Sequence, residues 1–407
     1  MRIAFTVNGP GETAGWLRPL LRQLYAKDPQ LDAHIFCVPD DYATGREADI
    51  AREWFPRASV YEPRAYLRVA LGRALPGLPQ KVDLVQYLGG DLLHAMRLRA
   101  RFEASFATYK FSRPKYAPRV LRAFAVDAAN AVDLHRADVA QERIAVVGNL
   151  AIDGALLEAK QPLEAGSPDD GILFMPGSRR YEVEHLIPFF FTAALRINDE
   201  CPDLTIGFGI APFTPMEAVR KAIEAGGHPR IWAQKGHLVE SGGRPFLVSL
   251  DGTRRYPIVR NALSAAAAAR LVVTLPGTKV IELAALGKAS IAITPLNAPE
   301  EITINGPLTY LNRVPFIGAP LKRAAVVAVA RRHRFHTQPN IDAGKMLVCE
   351  IHGTLTPGRV ARVAIERWND RTWIERTQAE LGGLYAGHVG ASERMADGIL
   401  ELRSEER

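Results

Sequence analysis

Short apolar runs alternate with amphipathic segments along most of the chain, which is the order of strands and helices in parallel α/β domains. In the first half these runs predict strands at Ile3–Val7, Ala33–Val38, Val82–Leu88, Ser105–Tyr109, Arg122–Val126 and Ile144–Val147. In the second half they predict strands at Ile172–Met175, Thr205–Ile210, Ile231–Ala233, Phe246–Ser249, Leu271–Leu275 and Ser290–Thr294. The pattern therefore predicts an α/β fold with two doubly wound, Rossmann-like sheets.

The chain has 407 residues, more than a single hydrophobic core usually serves. A polar segment with Pro, Gly and Ser, residues 158–170, lies between the two sets of strands and indicates a linker. We expect an N-terminal domain at residues 1–165, a second domain at 166–355, and C-terminal helices at 356–407 that pack across both. The carboxyl ends of the two sheets would face a central cleft, where open sheets bind ligands.

The formal net charge is +7, which favours a polyanionic partner or an anionic membrane surface. Basic residues concentrate between Arg97 and Arg122, either as solvated helix faces or as a binding surface. No apolar run approaches the about 18 residues of a membrane span, and the first residues predict a strand rather than a signal peptide. The three cysteines lack metal-binding spacing and indicate reduced thiols of a cytoplasmic protein.

The most informative segment is Pro176-Gly177-Ser178-Arg179, which follows a buried strand and precedes a helix. A helix start offers unpaired backbone N–H groups and the positive end of the helix dipole. Together with the Ser178 hydroxyl and the Arg179 guanidinium, these groups predict an anion site. The alternative is that Ser178 only caps the helix.

A similar turn, Pro276-Gly277-Thr278, follows the strand predicted at Leu271–Leu275. Glu282 lies one helical turn beyond Thr278 on the same face, where its carboxylate can accept hydrogen bonds from ribose hydroxyls. Alternatively, Thr278 caps the helix and Glu282 balances the charge of Lys279. Two such turns in one domain favour a nucleoside diphosphate held between helix ends.

Two carboxylates in the N-terminal half are candidate general bases. Glu12 lies in a glycine-containing turn with Gly11 and Gly15, after the first strand, and would otherwise cap a helix. Asp91 follows Gly89-Gly90 after another strand and would otherwise be an N-cap. The His residues are scattered and show no metal-ligand spacing, so the sequence predicts no metal and no cofactor.

Several segments, in order along the chain, resemble the lipid-A-disaccharide synthase family. In the second half the resemblance is carried by the run from Met175 to Arg179 with Glu182, and by the run from Pro276 to Ala285. The weaker matches are Gly11-Glu12-Thr13-Ala14-Gly15, the Val147–Asp153 segment and the Gly390–Ala396 segment.

The resemblance implies a GT-B glycosyltransferase: an inverting, metal-independent enzyme of lipid A biosynthesis that transfers a hexosyl group from a UDP-sugar to a lipid-linked acceptor. Pro176, Gly177, Ser178, Arg179, Gly277, Thr278 and Glu282 would bind the UDP-sugar, and Gly11 and Gly15 would form an acceptor-side loop. Asp91 or Glu12 would be catalytic. The resemblance also implies a peripheral protein on the inner face of the plasma membrane, a possible homodimer and no role for nucleic acid.

Departures from the family pattern indicate a relative with another lipid substrate rather than the synthase itself. Pro276 replaces the usual Ser, Lys279 adds a charge, and Asn149-Leu150 replaces His-Pro. Two alternatives remain at this point: a non-hydrolysing UDP-sugar 2-epimerase, and a non-catalytic basic protein that binds lipid or nucleic acid.

The segment Tyr61–Leu78 interleaves apolar residues with arginines. Such a segment can lie in a membrane interface, or it can be an ordinary packed helix with basic side chains outside. The insertion from Lys235 to Arg255 is rich in Gly and Arg and predicts a hairpin.

Overall fold

The computed structural model describes residues 1–39, 43–298, 322–323 and 334–405. The chain divides into two compact units. The first contains residues 1–157 and returns at 386–407, and the second contains residues 158–385. The C-terminal segment therefore belongs to both units, since residues 356–385 fold with the second and 386–407 with the first.

The first unit contains a seven-stranded sheet in the order β3-β2-β1-β4-β5-β6-β7. All its neighbouring strands pair in parallel. The strands are β1 (Arg2–Val7), β2 (Asp32–Cys37), β3 (Ser59–Tyr61), β4 (Leu84–Tyr87), β5 (Ser105–Tyr109), β6 (Arg122–Ala125) and β7 (Ile144–Val146).

The second unit contains an eight-stranded sheet in the order β10-β11-β12-β9-β8-β13-β14-β15. The six strands from β12 to β15 in this order are parallel, and β10 and β11 form an antiparallel extension. The strands are β8 (Ile172–Phe174), β9 (Ile206–Gly209), β10 (Gly236–Ser241), β11 (Arg244–Ser249), β12 (Arg255–Val259), β13 (Leu271–Thr274), β14 (Ser290–Pro295) and β15 (Cys349–Gly353).

Helices connect most successive strands, as parallel pairing requires. In the described residues they are α1 (Pro10–Glu12), α2 (Arg18–Lys27), α3 (Glu47–Trp54), α4 (Pro63–Ala70), α5 (Leu92–Phe102), α6 (Ala128–Arg136), α7 (Leu150–Ala159), α8 (Ile187–Glu200), α9 (Met216–Ala225), α10 (Ala262–Ala268), α11 (Thr278–Ala285), α12 (Gln338–Ala343), α13 (Pro357–Asn369), α14 (Arg371–Leu384) and α15 (Ala391–Glu405). Single π-helical turns precede α2 and α8, at Thr13–Leu17 and Glu182–Leu186. None of these helices is long and apolar enough to cross a bilayer.

Both faces of each sheet are covered, which explains why the strands read as continuous apolar runs. Along β1, Phe5 belongs to one core cluster of the first unit and Ala4 belongs to the cluster on the other face. In the second unit, Phe189, Phe190 and Phe191 on α8 are fully buried in the core. These three phenylalanines are therefore core residues of the second unit.

The strand order reverses at one place in each sheet. In the first unit the chain moves outward from β1 through β2 and β3, and then resumes on the other side with β4. In the second unit it moves outward from β8 to β9, adds β10, β11 and β12 beyond β9, and then resumes on the other side of β8 with β13. At such a switch point the loops after the two central strands diverge and leave a crevice for ligand. The predicted α/β class with two doubly wound sheets is confirmed.

One predicted strand is wrong and three strands were missed. Ile231–Ala233 is not a strand, because Pro229 begins a 3-10 turn and Trp232 has a left-handed backbone with φ of 52°. The missed strands are β3, β12 and β15, which are short or overlap segments with Pro or charged residues. The hairpin expected between Lys235 and Arg255 is present as β10 and β11.

Candidate functional site

The second unit places both predicted anion-binding turns at its switch point. Pro176–Arg179 follows β8, and Pro276–Thr278 follows β13. These two strands are hydrogen-bonded neighbours, and the Thr274 hydroxyl donates to the Met175 carbonyl, 3.1 Å away, just before the turns. The fold therefore brings together two segments that are about one hundred residues apart in sequence.

The first turn is closed by a carboxylate of its own helix. Glu182 Oε2 accepts hydrogen bonds from the backbone N–H groups of Ser178 and Arg179, at 2.8 and 2.9 Å. Gly177 has φ of 92°, and a Cβ at this position would collide with the Glu182 carboxylate. Two of the donors expected for phosphate are thus paired with Glu182. Sequence reasoning missed this role, because Ser178 lies four residues before Glu182 and not three, as the capping-box signature requires.

Arg179 and Arg180 differ in their surroundings. Arg179 is half exposed and its Nη1 lies 3.8 Å from Glu182 Oε1. Arg180 is almost fully exposed and its Nε lies 2.7 Å from Glu184 Oε1. Arg179 therefore shares the Glu182 carboxylate with the turn, whereas Arg180 pairs with Glu184.

Within the residues that the structure describes, no side chain caps the second turn. Gly277 is the N-cap of α11 with φ of 143°, and it provides no side-chain cap. No heavy atom of the described residues lies within 4 Å of the Cβ that another residue would carry here. Gly277 and Thr278 are exposed at the start of this helix. Because the first N–H groups of a helix have no intrahelical acceptor, this helix start is the better anion site of the two.

Glu282 is buried and paired with Lys279. Its Oε2 lies 2.7 Å from Lys279 Nζ, and its side chain is 5% exposed. Burial raises the pKa of Glu282, and the Lys279 ammonium only partly offsets this effect. Burial acts to lower the pKa of Lys279, but the carboxylates of Glu282 and Glu158 outweigh it and raise that pKa. The ion pair is the alternative that the sequence left open, and the ribose role of Glu282 stays a prediction.

The first unit places its two candidate bases at the corresponding switch point. Glu12 lies in α1, directly after β1, and Asp91 follows β4. Gly89 lies two residues before Asp91 and packs against Glu12. A Cβ on Gly89 would lie 2.8 Å from Glu12 Cγ and would collide with Asn8 Oδ1. Asn8 is buried, and its Oδ1 has no hydrogen-bond partner among the described residues. Sequence reasoning missed Asn8, since nothing in the sequence separates it from an ordinary turn residue.

Asp91 is the N-cap of α5. Its Oδ1 accepts a hydrogen bond from Leu93 N–H at 2.8 Å, and its Oδ2 lies 3.3 Å from Arg113 Nη2. The side chain is 46% exposed. The cap predicted as one of two roles is present, and solvent exposure leaves Oδ2 accessible for the other.

Gly11 and Gly15 lie in helical segments, so the expectation of a loop at these positions is wrong. Pro10 occupies the first position of α1, where its fixed φ favours a helix start. Gly15 is buried in the π-helical turn, and a Cβ on Gly154 would lie 3.1 Å from Gly15 Cα. Because neither Gly15 nor Gly154 has a side chain, the π-helical turn and α7 can approach this closely.

Lys110, which directly follows β5, is a further candidate functional residue. Its backbone is left-handed, with φ of 67°, which is uncommon for a residue other than glycine. Its Nζ lies 5.8 Å from the centre of the Trp16 ring. Burial lowers the pKa of Lys110, and Asp127 and Glu12 partly oppose the shift.

The amphipathic segment is a short helix followed by exposed turns. In α4, Tyr66 and Val69 are buried and hold the helix on the unit. Leu67 and Leu71 are 41% and 72% exposed. The exposed residues around them include three arginines, at positions 64, 68 and 73.

Comparison with known proteins supports the resemblance seen in the sequence. No protein-family model matches the chain. The chain is 28% identical over 235 residues to the lipid-A-disaccharide synthase of Myxococcus xanthus. The matched segment covers 57% of this chain and 49% of that protein. It is 26% identical over 239 residues to the synthase of Acinetobacter baylyi, covering 56% and 50%. The matched segment thus spans about half the length of these curated relatives.

Solved structures share the fold over nearly the whole chain. The S. aureus MnaA–UDP co-structure has a TM-score of 0.60 at 15% identity and covers 99% of this chain and 97% of that one. The UDP-GlcNAc 2-epimerase from Neisseria meningitidis, bound to UDP-GlcNAc, has a TM-score of 0.57 at 12% identity and covers 98% and 100%. At these identities the likeness shows the fold alone. The chain is thus related in sequence to lipid-A-disaccharide synthases and shares the two-domain GT-B fold of UDP-sugar enzymes.

Proposed function

We propose that this protein is an inverting glycosyltransferase that moves a sugar from a UDP-sugar to a lipid-linked acceptor, without a metal ion. One observation carries the proposal: the turns at Gly177 and Gly277 follow neighbouring strands at the switch point of one sheet. Helix starts in this position suit a diphosphate. The names of the sequence relatives and the UDP-containing structural neighbours support UDP-sugar as donor.

In this proposal the second unit holds the leaving UDP. The start of α11 and the Arg179 guanidinium neutralise the charge that develops on the diphosphate as the glycosidic bond breaks. The hydrogen bonds from the N–H groups of Ser178 and Arg179 to Glu182 must break before these N–H groups can bind phosphate. Pro176 and Ser178 complete the turn, and Glu282 accepts hydrogen bonds from the ribose.

The first unit provides the base that deprotonates the acceptor hydroxyl. Asp91 is the first candidate, because its Oδ2 is exposed and carries one ion-pair contact at 3.3 Å. Glu12 is the second, since it lies beside Gly89 at the same switch point. Proton removal by such a carboxylate contributes about 10²–10⁴-fold to a rate.

A lipid acceptor requires contact with a membrane, and α4 offers a surface for it. Exposed Leu67 and Leu71 among arginines combine apolar insertion with attraction to anionic headgroups. We propose that this surface docks on the inner, cytoplasmic face of the plasma membrane. Replacing both leucines by Ser should reduce co-sedimentation with anionic vesicles, and equal binding by the variant would exclude this surface.

Calorimetry with UDP tests the donor site. A charged hydrogen bond contributes roughly 1.5–3 kcal/mol, so Arg179→Ala should weaken UDP binding at least tenfold. Arg180→Ala is the matched control, because Arg180 has the same charge but pairs with Glu184. Equal effects of the two changes, or none, would contradict the assigned role of Arg179.

Turnover assays separate the proposal from its alternatives. A thermal-shift panel of nucleotide sugars identifies the donor, since binding to the native state raises the melting temperature. That donor should release UDP only when a lipid acceptor in vesicles is present. Formation of an epimeric UDP-sugar without acceptor would instead support a 2-epimerase. Vesicle or RNA binding without UDP binding would support a non-catalytic protein.

A further inference from the structure

Lys279 occupies an unfavourable place for a cation. It is the second residue of α11, where the helix dipole presents positive charge and disfavours cations. Its side chain is 36% exposed, and it directly follows Thr278. A local preference that a sequence violates without loss of the fold marks a candidate functional position.

The charge of Lys279 is offset by carboxylates that have other potential partners. Glu282, one helical turn later, lies 2.7 Å from Lys279 Nζ through Oε2. Glu158 adds a second negative charge, and its Oε1 accepts a hydrogen bond from Leu263 N–H at 3.3 Å. The single ammonium of Lys279 thus interacts electrostatically with two carboxylates at the start of α11.

The ion pair restricts what Glu282 can do in the free protein. Because Oε2 lies 2.7 Å from Lys279 Nζ, the ammonium competes with a ribose hydroxyl for the lone pairs of this carboxylate. A donor diphosphate at the start of α11 would place two or more negative charges beside Lys279. The ammonium would then gain a more highly charged partner, and the Glu282 carboxylate would gain hydroxyl donors in exchange.

Resting on the proposed function, we infer that Lys279 is a donor-specificity residue that exchanges Glu282 for the donor diphosphate when the nucleotide binds. The exchange couples recognition of the diphosphate to recognition of the ribose. It makes the site select uridine diphosphates over uridine itself. Lys279→Gln removes the charge and keeps a side chain of similar length.

Calorimetric titration of the full chain with UDP and with uridine tests the exchange. Lys279→Gln should weaken UDP binding about tenfold or more and leave uridine affinity within about twofold. Lys221→Gln is the matched control, because Lys221 also pairs with a glutamate of its own helix, Glu217, at 3.6 Å. Melting temperatures of all variants establish that each is folded.

The double variant Lys279→Gln/Glu282→Gln shows whether Lys279 contacts the diphosphate or only neutralises the charge of Glu282. If Lys279 contacts the diphosphate, the double variant should still lack the preference for UDP over uridine. Recovery of that preference, or an equal loss of both ligands in Lys279→Gln, would overturn the inference. If the unmodified protein fails to bind UDP, the proposed function itself is wrong, whereas UDP binding that is insensitive to Lys279→Gln overturns only the exchange.

Discussion

The carboxylate of Glu182 accepts a hydrogen bond from the backbone N–H of Ser178, with 2.8 Å between Oε2 and the nitrogen. The same oxygen accepts from Arg179 N–H at 2.9 Å. A carboxylate in this position satisfies donors that a phosphate would otherwise use. The first turn is therefore closed by an internal anion, while no carboxylate of the described part of the chain accepts from the second turn, at Gly277.

Glu182→Gln should strengthen UDP binding. The amide still accepts from Ser178 N–H and keeps the helix start, but it no longer competes as an anion with the diphosphate. We expect UDP affinity to rise about threefold or more by calorimetry, and the free energy of unfolding to fall by less than about 1 kcal/mol. Weaker UDP binding by this variant would instead mean that the charge of Glu182 holds the turn in its binding conformation.

Asp91→Asn tests whether Asp91 acts as a general base in addition to capping α5. Asn is as good an N-cap as Asp, so the hydrogen bond from Leu93 N–H and the stability of the fold should be preserved. An amide is not a general base at neutral pH, and we expect the rate of sugar transfer to fall about 10²-fold or more. UDP affinity, measured on the same sample, should be unchanged.

Glu12→Gln is the companion experiment for the base. If Asp91→Asn retains full transfer activity while Glu12→Gln loses it, Glu12 is the base. Full activity of both variants would remove both carboxylates from the proposed mechanism. Melting curves of the two proteins exclude unfolding as the cause of any loss.

The positions of the turns after β4, β8 and β13 could be predicted from the sequence, because a buried apolar run followed by Gly predicts a strand and then a tight turn, whereas the turn expected around Gly11 and Gly15 is helical. That these turns pair at switch points follows from strand order, which becomes visible only in the structure. The contact of Gly15 with Gly154 and the collision that a side chain at Gly89 would cause are tertiary features. No local periodicity encodes them.

Side-chain pairing at the site was less predictable than backbone position. The sequence left open whether Glu282 serves ribose or Lys279, and the structure shows the ion pair. The helical placement of Gly11 was missed because glycines were given more weight than Pro10, which starts α1. The error at Ile231–Ala233 has a similar origin, since an apolar triplet outweighed the preceding Pro229.

Gly89→Ala should disrupt the first unit's site and leave the second unit's site intact. The added methyl group would collide with Asn8 and press on Glu12, so these side chains must shift. Overpacking of this kind costs about 1–3 kcal/mol of stability. We expect slower sugar transfer with unchanged UDP affinity. Gly387→Ala is the control in the same unit, because its Cβ would meet no atom within 4 Å, and equal activity of both variants would contradict the prediction.

His34 should make stability fall in mildly acidic solution. Burial lowers its pKa below the usual 6.5, although Asp32, 3.1 Å from Nε2, opposes the shift and Arg2 adds to it. Below about pH 6.5 the unfolded chain therefore binds a proton that the folded protein resists, and stability decreases by at most about 1.4 kcal/mol per pH unit. Urea unfolding at pH 7.5 and 5.5 should show a smaller loss for His34→Gln, which retains a hydrogen-bonding partner for Tyr61. A loss equal to that of the unmodified protein would assign the acid sensitivity to other groups.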